Sequence, residues 1–151
     1  MEETINNFTD LEKYLNDTNY HFCMHDSRII DMTIDESSIV TKVLFGEIIY
    51  LSYKSLFENV WKDPRNASII MRLTYYKPKI ISNNIDMSDI AGSSFIENHD
   101  INHRVMFDIA SDVTDFDNDK EYFLEFEYET CKWEILDIGD FDYYYYSKRK
   151  L

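Results

Sequence analysis

Lys120-Glu121-Tyr122-Phe123-Leu124-Glu125-Phe126-Glu127-Tyr128-Glu129 is the most regular stretch of the chain. In an extended backbone successive side chains point to opposite faces. Tyr122, Leu124, Phe126 and Tyr128 then form one apolar face, and Glu121, Phe123, Glu125, Glu127 and Glu129 form the other. The alternation predicts a half-buried strand with a core side and a solvent side, the latter a ladder of carboxylates around one phenylalanine. Like charges on one strand face repel. Such a ladder is either offset by a cation across the strand, for which Lys132 is the candidate, or kept for binding.

The same period recurs on either side of this run. Ala67 to Tyr76 puts Ile69, Met71, Leu73 and Tyr75 on one face, and Pro78 makes its far end an edge or an exit. His103 to Ala110 reads as a strand through Val105, Phe107 and Ile109. Ser27 to Ile34 and Ile39 to Phe45 flank the polar turn Asp35 to Ser38 and predict a hairpin. Lys120 to Glu129 and Cys131 to Ile138 predict a second hairpin. Glu47 to Tyr53 reads as a further strand or bend, and Leu56 to Trp61 as a short helical turn ended by Asp63-Pro64. Asn83 to Asn102, rich in Asn, Asp and Ser, reads as a surface loop in which Ile85, Met87 and Ile90 are spaced for one docked helical turn.

The N-terminus reads as a helix, and helix signals are scarce after it. Thr9 stands as a cap with Glu12 as its capping-box partner, Leu11, Tyr14 and Leu15 share a face, and Asn16, Asp17 and Asn19 supply the stop. The expectation is a single α+β domain over residues 1–151, with the N-terminal helix packed on a mostly antiparallel β-sheet, a meander.

Composition narrows the class. The 151 residues fit one domain, and a chain of that size buries roughly 68–70% of its unfolded surface without needing a metal or a disulfide. Hydrophobic residues at 44% and aromatic residues at 16% exclude a disordered chain. Apolar runs stay far short of the ~20 residues of a spanning helix, and Met1 to Phe8 is acidic and polar, the wrong sign for a signal peptide. Two cysteines, Cys23 and Cys131, are too few for a disulfide framework. A cytoplasmic protein with two free thiols and no membrane contact is expected.

Charge is unevenly spread. Between Val105 and Tyr146 lie thirteen acidic residues and only two basic ones, Lys120 and Lys132, which places −11 of the chain's −14 net charge there. The same stretch holds twelve of the 24 aromatic residues, including Tyr143, Tyr144, Tyr145 and Tyr146. Such a field attracts cationic partners and repels nucleic acid and anionic lipid. The basic end at Lys148, Arg149 and Lys150 reads as a solvated terminus beside that acidic body.

Patterns that carry chemistry are incomplete. Asp115, Asp117 and Asp119 resemble the start of an EF-hand loop, but Lys120 stands where the turn glycine belongs and Phe126 where the bidentate glutamate is needed. His21, Cys23 and His25 alternate and would face one side of an extended segment, a donor set suited to zinc. A fourth ligand would have to come from Cys131, His99 or His103, and no paired-cysteine or paired-histidine motif anchors them, so ordinary packing is the preferred reading. His99 and His103 are four apart without the glutamate of a metalloprotease helix. No nucleophile elbow, P-loop or dinucleotide fingerprint occurs, and three glycines offer no phosphate cradle. No catalytic residue, cofactor or metal is expected, and an enzyme is the minority reading.

His25-Asp26-Ser27-Arg28-Ile29-Ile30, with the run on to Phe45, resembles small bacterial proteins that open with a short helix. In those proteins the same triplet leads into the first strand of a meander. Some of them resemble immunity proteins of polymorphic-toxin systems, which bind and neutralise a cognate toxin. The resemblance covers this segment only, and it implies a non-catalytic binding protein with a basic toxin as its partner. It carries over His25, Asp26 and Ser27 as a structural feature, a side-chain-to-backbone turn before the strand.

Charge and resemblance together predict a protein that occludes a cationic protein partner. Asp115, Asp117, Asp119, Glu125, Glu127 and Glu129 would steer and pair with lysine or arginine, and Phe123, Tyr144 and Tyr146 would be the desolvated anchors. Two other readings stay open at this point. One is a domain that self-assembles through edge strands, its acidity serving solubility alone. The other is a small metal protein built on His21, Cys23 and His25. Oligomeric state is open.

Overall fold

The structure is a computed structural model that describes residues 8–18, 27–45, 68–111 and 120–139. One helix, α1 (Phe8–Thr18), precedes eight strands: β1 (Arg28–Ile34), β2 (Ser38–Phe45), β3 (Ser68–Tyr76), β4 (Lys79–Asn83), β5 (Ser94–Ile101), β6 (Arg104–Ala110), β7 (Glu121–Glu127) and β8 (Thr130–Gly139). All ladders between them are antiparallel, and the order is β4-β7-β6-β5-β1-β2-β3-β8. The strand and helical-turn readings at Glu47–Tyr53 and Leu56–Trp61 lie outside the described residues.

The α+β expectation is overturned. The chain is mostly antiparallel β-sheet, and among the described residues the one α-helix, α1, forms no layer over a sheet face. The sheet covers itself instead. β1 and β5 share a single register pair, Arg28↔Ser94, where β2 pairs with β3 along its whole length. Three backbone bonds make up the rest of that seam: Ile29 N–H to Ser93 O at 2.8 Å, Gly92 N–H to Ile29 O at 2.7 Å and Phe95 N–H to Ser27 O at 3.1 Å. Here the sheet turns, and the half β1-β2-β3-β8 faces the half β5-β6-β7-β4. Tyr75 on β3 meets Phe107 on β6 and Phe126 on β7 with ring centroids 6.1 and 5.1 Å apart, both edge-on. Edge-on ring pairs add about 0.5–1.5 kcal/mol each beyond the area they bury.

Alternation within each strand fills this core. Ile69, Met71, Leu73 and Tyr75 are buried as their spacing predicts, and so are Val105, Phe107 and Ile109, and Tyr122, Leu124, Phe126 and Tyr128. The first hairpin is also as read. Ile34 pairs with Ile39, and the Asp35 carboxylate accepts from Ser37 N–H at 2.8 Å and Ser38 N–H at 2.9 Å. These bonds hold the Asp35 carboxyl below its ordinary range, the Ser37 side chain first among them.

The second expected hairpin does not exist. β7 pairs with β6 and β4, β8 pairs with β3, and the chain passes from one half to the other through Tyr128 and Glu129. Lys77 and Pro78 make the opposite crossing between β3 and β4. The crossings are tied together by Glu129 N–H to Tyr76 O at 3.0 Å and by Lys77 Nζ to Glu129 at 3.2 Å. Two consecutive strands with alternating pattern are indistinguishable from a hairpin until their partners are known.

Asn83 to Asn102 is not a loop throughout. It supplies a single 3-10 turn at Met87–Asp89 and then β5. Ile90 is buried and Ile85 packs against the core, but Met87 is exposed.

The helix guards an edge. α1 begins at Phe8, so Thr9 lies inside it and is not its cap. The Glu12 carboxylate accepts from Ile135 N–H at 2.8 Å. The Asn16 side chain accepts from Trp133 N–H and donates to Trp133 O, both at 2.9 Å. These are outward-pointing backbone groups of β8, and pairing them blunts an edge that would otherwise template another strand. Leu15 closes the core at the same place. At the other side of the sheet, β4 is protected by the proline before it and by the irregularity between Ile80 and Ser82.

One core position carries an unused polar group. Thr41 on β2 is fully buried between Met32 and Leu73 of the neighbouring strands, and its Oγ1 finds no hydrogen-bond partner among the described residues. Thr41→Val keeps the branched shape and removes the hydroxyl. It is expected to raise the unfolding free energy by about 1 kcal/mol in urea denaturation, and a loss of stability would show that the hydroxyl is bonded.

Candidate functional site

The outer face of β6 and β7 carries the carboxylate ladder. Glu121 and Glu127 are exposed, and Phe123 between them is 41% exposed. The register sets Glu127 opposite Arg104 and Lys79, Glu125 opposite Met106, Phe123 opposite Asp108 and Glu121 opposite Ala110. Phe123 is held by its backbone: its N–H donates to Asn84 Oδ1 at 2.6 Å, and its carbonyl accepts from Asn84 N–H at 3.2 Å. The backbone that carries this partly exposed ring is thereby held in place, within a field of carboxylates.

The offset of that ladder differs from expectation. Lys132 pairs with Thr74 in the other half and does not reach β7. Arg104 takes its place, with Nη2 2.6 Å from Glu125 Oε1. The hydrogen bond to Glu125 raises the already high pKa of the Arg104 guanidinium. The Glu125 side chain is only 12% exposed in this pair, so it is the least available member of the ladder. Glu129 lies beyond the end of β7, in the crossing beside Lys77. Asp115, Asp117, Asp119, Tyr144 and Tyr146 lie outside the described residues, as do His21, Cys23, His25 and Asp26. Of the predicted contact residues, the structure brings Phe123, Glu125 and Glu127 onto one face and sets Glu129 apart at a corner.

Four residues that sequence reasoning passed over belong to this face: Ile101, Arg104, Met106 and Asp108. Arg104, Met106 and Asp108 are the outward phase of β6, legible once Val105, Phe107 and Ile109 are taken as core. Ile101, 67% exposed, sits at the end of a strand whose polar composition reads as loop. Ile101, Asn102, Arg104, Met106 and Glu127 line an open depression of about 460 Å³.

The β5–β6 hairpin tip is built under strain. Asn102 and His103 have φ of 54° and 62°, as a two-residue type I′ turn requires. Positive φ is uncommon for any residue but glycine, although asparagine and histidine are enriched there. The His103 ring stacks on Tyr128 with centroids 5.0 Å apart and 8° between planes. Its Nδ1 lies 3.0 Å from Glu129 O, so that nitrogen carries the proton and donates it to the carbonyl. Tyr128 in turn donates to Asp100 at 2.8 Å.

Nearby titratable groups are held neutral. Burial pushes the Cys131 thiol from its ordinary 9.0 up to about 12, which makes it a poor nucleophile. Burial first, and then the hydrogen bond to Asp89 at 2.7 Å, pushes the Tyr122 phenol up to about 12. Burial raises Tyr75 and Tyr128 in the same direction. No group of three or more histidine, cysteine or carboxylate side chains among the described residues is placed to hold a metal ion. No helix among them is long and apolar enough to cross a membrane.

No known protein family matches the chain, and no curated protein or solved structure is significantly similar to it.

Two expectations follow from this geometry. His103→Ala keeps the strained φ and removes the ring, whereas His103→Gly removes both ring and strain. The alanine variant is expected to be the less stable of the two by about 1 kcal/mol in urea unfolding, and equality would mean that the tip is unstrained. At high pH the raised Tyr122 and Cys131 act together. Their neutral forms are favoured in the folded state, so this stabilisation is complete below their ordinary values of 10.0 and 9.0 and is lost as pH rises toward about 12. Unfolding free energy measured from pH 8 to 12 is expected to fall across that window, and a flat profile would contradict it.

Proposed function

We propose that this is a non-catalytic binding protein that occludes a cationic protein partner with the outer face of β6 and β7. The observation that carries the reading is Phe123, a partly exposed aromatic side chain between Glu121 and Glu127 and opposite Asp108, on a backbone bonded to Asn84. Exposed aromatic anchors inside a ring of charge are the usual centres of binding energy, and the surrounding charges set the approach rate and the choice of partner. The acidity of the whole chain, −14, extends that field well beyond the face. The resemblance of the segment from His25 to immunity proteins favours a basic toxin as the partner, neutralised by covering its working surface. Burial of the Cys131 thiol supports a role without nucleophilic chemistry at that residue.

Charge reversal on exposed strand positions tests this without disturbing the core. Immobilised protein is expected to retain basic proteins from a lysate of its own source at low salt and to release them at high salt. The Glu121→Lys/Glu127→Lys variant is expected to retain none of them. Equal retention by the variant and the unaltered protein would overturn the proposal.

A further inference from the structure

Strand register places three exposed apolar side chains on one diagonal of the outer face. Ile101 of β5 stands opposite Arg104, Met106 of β6 stands opposite Glu125, and Phe123 of β7 stands opposite Asp108. Each step therefore moves one strand across and two residues along, a separation of roughly 7–8 Å. Ile101, Met106 and Phe123 are 67%, 40% and 41% exposed. Single exposed apolar residues are ordinary on a protein surface, but three in line across three strands form a ridge. At its Ile101 end the ridge borders the depression walled by Met106, Arg104 and Glu127.

The flanks of the ridge are acidic. Glu125 and Glu127 lie on one side with Arg104, whose guanidinium is already engaged by Glu125, and Asp108 and Glu121 lie on the other. Four carboxylates against two cations, Arg104 and the Lys79 that stands opposite Glu127, leave the face acidic, and that sign decides the occupant. A second copy of this chain would set these carboxylates against their own kind, and nucleic acid or an anionic membrane would be repelled likewise. We infer that the Ile101–Met106–Phe123 ridge seats a cationic amphipathic segment of a partner protein. The partner's large apolar side chains rest on the ridge, and its lysines or arginines reach Glu127 on one flank and Asp108 and Glu121 on the other. This inference rests on the proposed binding function and deepens it: the carboxylates govern the salt-dependent approach, and the ridge governs the lifetime of the complex.

Two synthetic peptides of equal length and charge separate these roles. One is oligolysine, and the other carries leucines along one face with lysines on both sides. The protein is expected to bind the leucine-bearing peptide at least about tenfold more tightly and to hold it at salt that releases oligolysine. The Ile101→Ser/Met106→Ser/Phe123→Ser variant is expected to bind both peptides alike, with its fold checked by thermal unfolding. Ile101→Ser alone, at the most exposed position, is expected to lose part of the same preference and serves if the triple variant fails to fold. No preference in the unaltered protein, or an undiminished preference in these variants, overturns the ridge while leaving the acidic-face reading standing. Oligolysine binding that survives Glu121→Lys/Glu127→Lys overturns the acidic-face reading itself.

Discussion

Tyr75 is the point at which the two halves of the sheet meet. Its ring touches Phe107 and Phe126 from the opposite half and Tyr128 at the crossing, each edge-on and with centroids between 5.0 and 6.1 Å. Everything else in the fold is arranged so that this contact can form. A single flat sheet in the observed strand order would leave one face of apolar alternation in water. Turning the sheet at the sparse β1–β5 seam buries both inner faces against each other, as in any two-layer β structure. The outward phases of the strands are then free to be charged, and the acidic face follows from the same period that builds the core.

Turning the sheet creates problems at its boundaries, which polar side chains answer. The outward edge of β8 would present unpaired backbone groups, and Glu12 and Asn16 of α1 satisfy them. The two crossings between halves are pinned at one end of the molecule, where Lys77, Glu129 and His103 converge. His103 accepts a strained backbone there in return for stacking on Tyr128 and donating to Glu129 O. The ring contacts offset the cost of the turn, and the hairpin tip sets Ile101 beside the acidic face.

Much of the site was legible in the alternation of Lys120 to Glu129. That run told which side chains face the core and which face water, and it picked out Phe123 among the carboxylates. Its cation was misassigned because Lys132 is close in sequence but belongs to a strand in the other half, whereas Arg104 is distant in sequence and adjacent in space. Ile101 was hidden by the polar composition of Glu97-Asn98-His99-Asp100, which lowers the strand signal although the backbone is paired through it. The helix was recognised, but its role was not. A helix with one apolar face predicts burial against something, and periodicity alone does not tell a sheet face from a sheet edge.

The sequence by itself determined the local states: which segments extend, which residues each strand turns inward, where Asp35 makes a turn, and the sign and location of the charge. These depend on steric preference and on a period of two, which act over a few residues. Tertiary structure alone decided that β7 and β8 part company, that the two halves of the sheet close on each other, and that Ile101, Met106 and Phe123 fall on one line. Those outcomes depend on which strands pair and in what register. Pairing is set by the joint burial of residues far apart in the chain, and no single segment carries that information.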